Sequence, residues 1–463
     1  MDRTEAMGSA PVGRLLLSFA VPTTASMLVS ALYSLVDRIF IGRGTGVGGI
    51  AAATAAFPFM IIGMAVGLLF AVGARSLASV AMGRGDHAEA REIISRASGA
   101  AFLATALAGV VIWLFAAPLL SVFGAGARIA ADAKVFLGWT LLGLPFQSAT
   151  MAVATSLQVQ GRPKVGFAVN LAGTVVNAGL EPLFIFGLGW GLRGAAGATA
   201  LAQLFSLGLA LAVVQGRGSA LRLDLRHLLP EASILGRLAA LGAPIFLVNL
   251  VSTAVLVVAN RAIAPWGGEL ALAVIGVVNT VGMVVSYPLY GITNGAQPLI
   301  GFNYGARKWG RLQRLCGLVA VWTFGLSALA ELACVLWPGA LIGVFNPDPA
   351  LVAMGTRALR TFMLAFALFP LAQLPAVYFQ STARPLPAGV LMLARSMVMI
   401  AGMLILPRWF GLDGVFYAGP AADMASALIG AVLLGRMTTE INVERQNEGF
   451  RSPLALPAGP GLA

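Results

Sequence analysis

The 463 residues are 59% hydrophobic and only 10% charged, and the mean hydropathy is +0.88. Soluble domains carry roughly 25% charged residues, so a water-soluble fold is excluded. The net charge of +12 would suggest nucleic acid in a soluble protein. Here its distribution along the chain follows membrane topology, and no nucleic-acid role is expected.

Crossing a bilayer as a helix takes about 20 apolar residues. In chain order, runs of that kind occupy 14–41, 51–80, 93–117, 135–158, 165–188 and 192–216. A second set occupies 237–264, 270–302, 312–337, 355–380, 386–407 and 412–437. The pattern predicts an all-α polytopic membrane protein with twelve transmembrane helices. Residues 1–13 form a leading tail, 14–216 a first lobe, 217–236 a polar linker, 237–437 a second lobe and 438–463 a trailing tail. Basic residues such as Arg84, Arg91, Arg162, Arg222, Arg307 and Lys308 gather on the side that holds both tails. The positive-inside rule makes that side cytoplasmic, which predicts an integral protein of a bacterial or archaeal cytoplasmic (inner) membrane. The first run resembles a signal peptide near Arg14 but stays apolar through Val36, so an uncleaved helix is expected. Cys316 and Cys334 lie 18 positions apart in one predicted helix, too far to bridge each other.

The halves repeat. Pro22 and Pro244 lie 222 positions apart, as do Gly73-Ala74 and Gly295-Ala296, Gly83 and Gly305, and Arg162-Pro163 and Arg384-Pro385. Near the end of each half, the stretch GLRG at 191–194 answers GLDG at 411–414, with an offset of 220. Each unit has an even number of crossings, so equivalent helices enter from the same side. The lobes are therefore parallel six-helix repeats related by a pseudo-twofold axis along the membrane normal, an arrangement typical of alternating-access transporters.

Ionisable groups inside a bilayer are costly and point to function. Asp37 sits late in the first helix. Asn177 and Glu181 are spaced i,i+4 and share one face of the fifth, and Pro182 frees the carbonyl of residue 178. A carboxylate, a carboxamide and a loosened backbone suit Na⁺, while the carboxylate alone could carry a proton. Glu331 has no polar neighbour at helical spacing and reads as structural. Arg395 in the eleventh helix and Asp423 in the twelfth are expected to pair, in a structural or gating role, as Pro22, Pro182 and Pro244 are expected to shape their helices. Arg75, near the cytoplasmic end of its helix, is expected to snorkel. No nucleotide loop, nucleophile constellation or paired-histidine site is visible, so no enzyme activity and no cofactor are expected.

Several segments resemble the multidrug and toxic compound extrusion family. They are LVDRIFIGRG in the first helix, MGRGDHAEAR after the second, and GFNYGARKWGR at the repeated loop. NAGLEPLFIFGLGWGLRGAAGATALAQ and LPRWFGLDGVFYAGPAAD are further matches, and the resemblance runs over roughly 14–437. It implies antiport of bulky, often cationic amphipathic compounds against Na⁺ or H⁺. It also implies a cation site in the first lobe, made by an acid on helix 1, an Asn and an acid on helix 5, and a Thr on helix 6. Those positions are Asp37, Asn177, Glu181 and Thr199 here. Glu181 departs from the Asp usual in this motif, and helices 7 and 10 lack the acids that some members carry.

The expected function is secondary active multidrug efflux by alternating access. The expected partners are small amphipathic molecules and membrane lipids, and the expected state is a monomer. Phe57, Met60, Met64, Gln147, Asn279, Tyr287, Tyr290, Gln297 and Gln373 are candidates for the substrate cavity, the apolar ones because flexible and aromatic side chains adapt to varied ligands. The alternative is a flippase for a lipid-linked saccharide with the same doubled fold.

Overall fold

A computed structural model describes residues 3–122, 127–216, 219–229, 231–345 and 348–451. Among them are twelve helices long and apolar enough to span a membrane. The first six are α1 Val12–Gly46, α2 Gly48–Gly83, α3 His87–Leu114, α4 Ile129–Val159, α5 Pro163–Gly187 and α6 Gly191–Gln215. The second six are α7 Ala232–Val255, α8 Ala273–Gly305, α9 Trp309–Leu336, α10 Pro349–Ser381, α11 Pro385–Phe410 and α12 Leu412–Asn447. Each overlaps one expected apolar run, and α7 begins at Ala232, inside the stretch expected as linker, and ends at Val255, short of the expected 264. α1 and α2 are divided at Gly46, where φ is 68°, whereas α7 and α8 lie on one helical stretch, Ala232–Gly305.

Helix α12 runs on to Arg451, past the lobe end expected at 437. Its polar extension is held by side chains of the second lobe. Arg384 Nη1 donates to Glu440 Oε2 at 2.6 Å and Arg384 Nη2 to Tyr304 Oη at 3.0 Å. Gln313 donates to Asn442 Oδ1 at 3.1 Å and accepts from Arg445 Nη1 at 2.6 Å. The bond to Glu440 raises the Arg384 guanidinium further above its usual range.

The repeat is visible in the backbone. Helix α2 closes with hydrogen bonds from Gly85 N to Met82 O (3.1 Å) and from Asp86 N to Ala81 O (3.0 Å). Helix α8 closes with Arg307 N to Tyr304 O (3.0 Å) and Lys308 N to Asn303 O (2.9 Å). The loops after α4 and α10 match in the same way. There Arg162 N reaches Leu157 O at 2.7 Å, and Arg384 N reaches Phe379 O at 2.8 Å. These are Schellman closures, which need a left-handed residue just past the helix end. In the first lobe that residue is glycine, Gly85 (φ 82°) and Gly161 (φ 75°). In the second it is Arg307 (φ 54°) and Ala383 (φ 63°), where a Cβ makes the same conformation costly.

The lobes join at the end of the bundle where both described termini lie. A Cβ on Gly83 would collide with the Phe302 carbonyl oxygen, and one on Gly305 with the carbonyl oxygen of Val80, the repeat mate of Phe302. Farther into the bundle, a Cβ on Gly73 of α2 would lie 2.9 Å from Leu238 Cα of α7, and one on Gly295 of α8 would lie 2.9 Å from Ala20 Cα of α1. Small residues permit such backbone approach where lipid removes the hydrophobic drive for helices to associate. One apolar core spans both lobes at this end and includes Phe19, Ala74, Leu238, Ala296 and Tyr378. At the far end the core divides. One cluster around Ile41, Phe59 and Ile185 belongs to the first lobe, and another around Ile275, Phe366 and Met403 to the second.

The leading segment is a helix, Arg3–Ser9, seated on the second lobe. Lys308 Nζ donates to the Gly8 carbonyl at 2.9 Å and Arg311 Nη2 to that of Ala10 at 2.7 Å. The linker docks on the first lobe. Gln160 Oε1 accepts from Ala220 N at 2.8 Å, and Asp224 N donates to Ser95 Oγ at 3.0 Å.

The left-handed alanine gives a test of the repeat. Ala383→Gly should raise stability by about 1 kcal/mol, while Gly161→Ala at the equivalent position should lower it by a similar amount. Unfolding curves of the two purified variants check the opposite signs.

Candidate cation site in the first lobe

Helices α1, α5 and α6 meet in the far half of the first lobe. Phe40 packs edge-on against Phe186 with ring centroids 6.4 Å apart, which ties α1 to α5. Helix α5 changes form at this point. After Pro182, which cannot donate into the ladder, residues Leu183–Gly187 make a π-turn closed by Leu188 N to Leu183 O at 2.9 Å. Such π-turns concentrate at functional sites. One turn before it, Asn177 and Glu181 point inward, with Asn177 3% and Glu181 0% exposed.

Thr199 of α6 links the elements. Its hydroxyl accepts from Asn177 Nδ2 at 3.2 Å, donates to the Ala195 carbonyl at 3.1 Å, and lies 3.5 Å from Tyr33 Oη of α1. Asp37, one turn after Tyr33, is half-buried and its carboxyl group faces that of Glu181. The structure therefore brings together all four residues of the expected site, Asp37, Asn177, Glu181 and Thr199. It adds Tyr33, which sequence reasoning missed although it stands i,i+4 to Asp37.

The decisive local feature is unmet acceptor capacity. Asn177 Oδ1, Glu181 Oε1 and Glu181 Oε2 are buried and have no hydrogen-bond donor. Buried oxygens without partners are costly, and a cation or an added proton satisfies them. The donor set is all oxygen, which fits a hard cation. The freed carbonyl of residue 178 adds a further acceptor to the neighbourhood.

In the second lobe the equivalent positions are apolar. Ala259 stands at the position of Asp37, Met399 and Met403 at those of Asn177 and Glu181, each 222 positions on, and Gly419 stands 220 positions after Thr199. Ala259, Met399 and Met403 are buried in the second lobe's own core. The polar pair of that lobe lies elsewhere. Arg395 Nε donates to Asp423 Oδ1 at 2.6 Å, and the guanidinium sits 5.9 Å from the Phe369 ring centre. Glu331 is structural, its Oε2 accepting from Ala367 N at 2.6 Å.

The expected cavity residues differ in their surroundings. Phe57 lies under the Arg38 guanidinium at 5.8 Å, and Tyr290 packs edge-on against Phe369 with centroids 5.6 Å apart. Met60, Met64, Gln147, Asn279, Tyr287 and Gln373 are half-buried. Gln297 is 2% exposed and sits in the seam between the lobes, where its Oε1 accepts from Arg75 Nη1 at 3.0 Å. Arg75 thus turns inward instead of snorkelling, because Gln297 offers it an acceptor across the seam. An apolar cavity of about 360 Å³ between α3, α4, α6 and the linker, lined by Phe102, Val153, Leu211 and Leu223, is remote from the acidic pair.

Two parallel six-helix lobes, joined at one end and parted at the other, with an acidic pair in the first lobe that has no salt-bridge partner among the described residues, define a membrane transporter of the two-lobe type. The chain belongs to the MatE family, which it matches over residues 22–183 and 244–404, one segment per lobe. It is 24% identical over 436 residues to the multidrug export protein MepA of Staphylococcus aureus, covering 94% of this chain and 96% of that one. The MepA protein of Staphylococcus haemolyticus is 22% identical over 430 residues, covering 93% and 95%. Among solved structures, an outward-facing multidrug resistance MATE transporter of the MOP superfamily superposes with a TM-score of 0.86 at 23% identity, covering 96% of this chain and 99% of that one. A Vibrio cholerae MATE transporter, VcmN, gives 0.87 at 17% identity, covering 96% and 100%. A MOP superfamily transporter from Pyrococcus furiosus, described as having a binding pocket of reversed polarity, gives 0.83 at 23%, covering 96% and 99%.

Thr199 supplies the acceptor that fixes Asn177. Thr199→Val should leave the Asn177 amide unpaired and lower stability by about 1–3 kcal/mol, while Thr199→Ser should preserve it. Unfolding of both variants in one detergent checks this.

Proposed function

We propose that the protein is a secondary active multidrug efflux antiporter, exporting amphipathic and often cationic compounds in exchange for H⁺ or Na⁺. The observation that carries this reading is half-buried Asp37 facing buried Glu181 in the first lobe, where both Glu181 oxygens and Asn177 Oδ1 are orphaned. The names of the relatives supply the multidrug character. Of the two arginines within the spans, Arg395 is neutralised by Asp423, and Arg75 is bonded to the neutral Gln297. A single unpaired arginine disfavours the flippase reading, which needs several basic groups for a pyrophosphate.

In this reading the end that bears the termini is cytoplasmic, and the divided cores lie outward. A drug reaches the space between the lobes when the cytoplasmic seam is open. The seam then closes through the α2–α8 crossing, and the far side parts. From outside, Na⁺ or H⁺ enters between Asp37 and Glu181, relieves the repulsion of the two carboxyl groups and satisfies the orphaned oxygens. Binding pulls α1 toward α5 and α6 through Tyr33 and Thr199, which reshapes the cavity wall and releases the drug. An ion drives this only through different affinity for the two states. Turning a 1:99 balance into 99:1 takes about 5.5 kcal/mol of such difference. The protein works as a monomer, since each chain holds both lobes and the ion site.

Reconstituted ethidium efflux under separately imposed Na⁺ and pH gradients tests the proposal. One gradient should drive efflux, and Asp37→Asn should reduce it at least about tenfold, the loss of roughly 1.4 kcal/mol of differential ion binding. Glu181→Asp, which withdraws the carboxylate by one methylene, should shift the half-saturating ion concentration by about tenfold while keeping the maximal rate. Undiminished efflux by Asp37→Asn at normal protein levels would contradict the reading.

A further inference from the structure

Arg75 of α2 and Gln297 of α8 are repeat mates, 222 positions apart, and they bond each other across the pseudo-twofold axis at 3.0 Å. The chain continues into α10, where Gln297 Nε2 donates to Gln380 Oε1 at 3.1 Å. Ser76, next to Arg75, donates to the Gln380 carbonyl. The direction of this chain is fixed by its first member. A guanidinium only donates, so Gln297 must turn its oxygen toward Arg75 and its amide toward Gln380. Gln380 must then accept with its oxygen and is left with a free amide. The result is a surplus of donors. Arg75 Nε and Gln380 Nε2 are buried without any acceptor, and Gln380 is only 5% exposed. No carboxylate pairs with Arg75 among the described residues, so its positive charge stands uncompensated in the seam. Arg75 is half-buried, with its Nε fully enclosed, and a charge withdrawn from water in this way is unfavourable unless an opposite charge joins it.

We propose that this node is a binding site for a small monovalent anion, of halide class, held by Arg75 Nε and Gln380 Nε2. Close backbone packing bounds the ligand's size. A Cβ on Gly301 would lie 2.7 Å from Ser79 Cβ and 3.1 Å from the Ser381 carbonyl, and Gly73 packs against Leu238. The site is divided between the lobes, Arg75 coming from the first and Gln297 and Gln380 from the second. It is complete only while the seam is closed. The anion therefore binds the closed-seam state in preference and shifts the population toward it. Parting of the lobes separates the donors and releases the anion on the termini side. This inference rests on the seam and is independent of the coupling ion at Asp37 and Glu181.

The test is thermal unfolding of the purified protein in sodium chloride, sodium bromide and sodium gluconate at equal ionic strength. Halide at about ten times its dissociation constant should raise the midpoint by about 2 °C over gluconate. Arg75→Gln should abolish that increment. Gln380→Ala, which keeps the charge and removes one donor, should raise the half-saturating halide concentration by about tenfold. Equal midpoints in halide and gluconate for the unaltered protein overturn the proposal, as does an undiminished increment in Arg75→Gln. Should Arg75→Gln fail to fold, an unchanged half-saturation in Gln380→Ala overturns it instead.

Discussion

Where α2 crosses α8, the carbonyl oxygens of Val80 and Phe302 occupy the space that side chains on Gly305 and Gly83 would need. The two helices meet backbone to backbone, and the two lobes have one shared core beneath that crossing. Lipid gives helices no hydrophobic reason to associate, so shape and interhelical hydrogen bonds decide where lobes touch. Glycine at these repeat positions sets that place. From the crossing toward the far end the lobes part into separate cores, so the seam is the closed end of this structure and the far end the parted one. The Arg75–Gln297 bond lies in the same seam, so a polar link between lobes and close backbone packing occur together.

Doubling supplies that geometry but not the chemistry. Asn177 and Glu181 have Met399 and Met403 as repeat mates, and these are buried in apolar surroundings. A flexible thioether fills the space that in the first lobe is left with unsatisfied oxygens. In the proposed antiport the asymmetry has a physical use. An ion that binds one lobe can change the shape of that lobe alone, while its partner remains a rigid wall. Arg395 and Asp423 do not restore the balance, because their direct ion pair leaves Asp423 already neutralised.

Much of this was legible in the sequence. Helix count follows from apolar length, and the lobes follow from the 222-residue offset. The same offset reappears as matched Schellman closures at Gly85 and Arg307 and at Gly161 and Ala383. Asp37, Asn177, Glu181 and Thr199 were legible because carboxylates inside a membrane are few and because their pattern resembles a family. Arg75 was misread. Its depth suggested snorkelling, and only the three-dimensional seam brings Gln297 and Gln380 within its reach. The extension of α12 to Arg451 was also hidden, since an apolar criterion stops where Glu440, Asn442 and Arg445 begin to pair with the second lobe. Tyr33 escaped notice because a tyrosine in a membrane helix is unremarkable until Thr199 is found beside it.

The central claim is that one lobe alone holds the coupling ion. Equilibrium binding of radioactive Na⁺, with proton release followed in parallel, measures the number of sites per chain directly. The account predicts a single site, abolished by Glu181→Gln and retained in Met403→Leu at the equivalent position of the other lobe. Binding that survives Glu181→Gln, or that is lost in Met403→Leu, would contradict it.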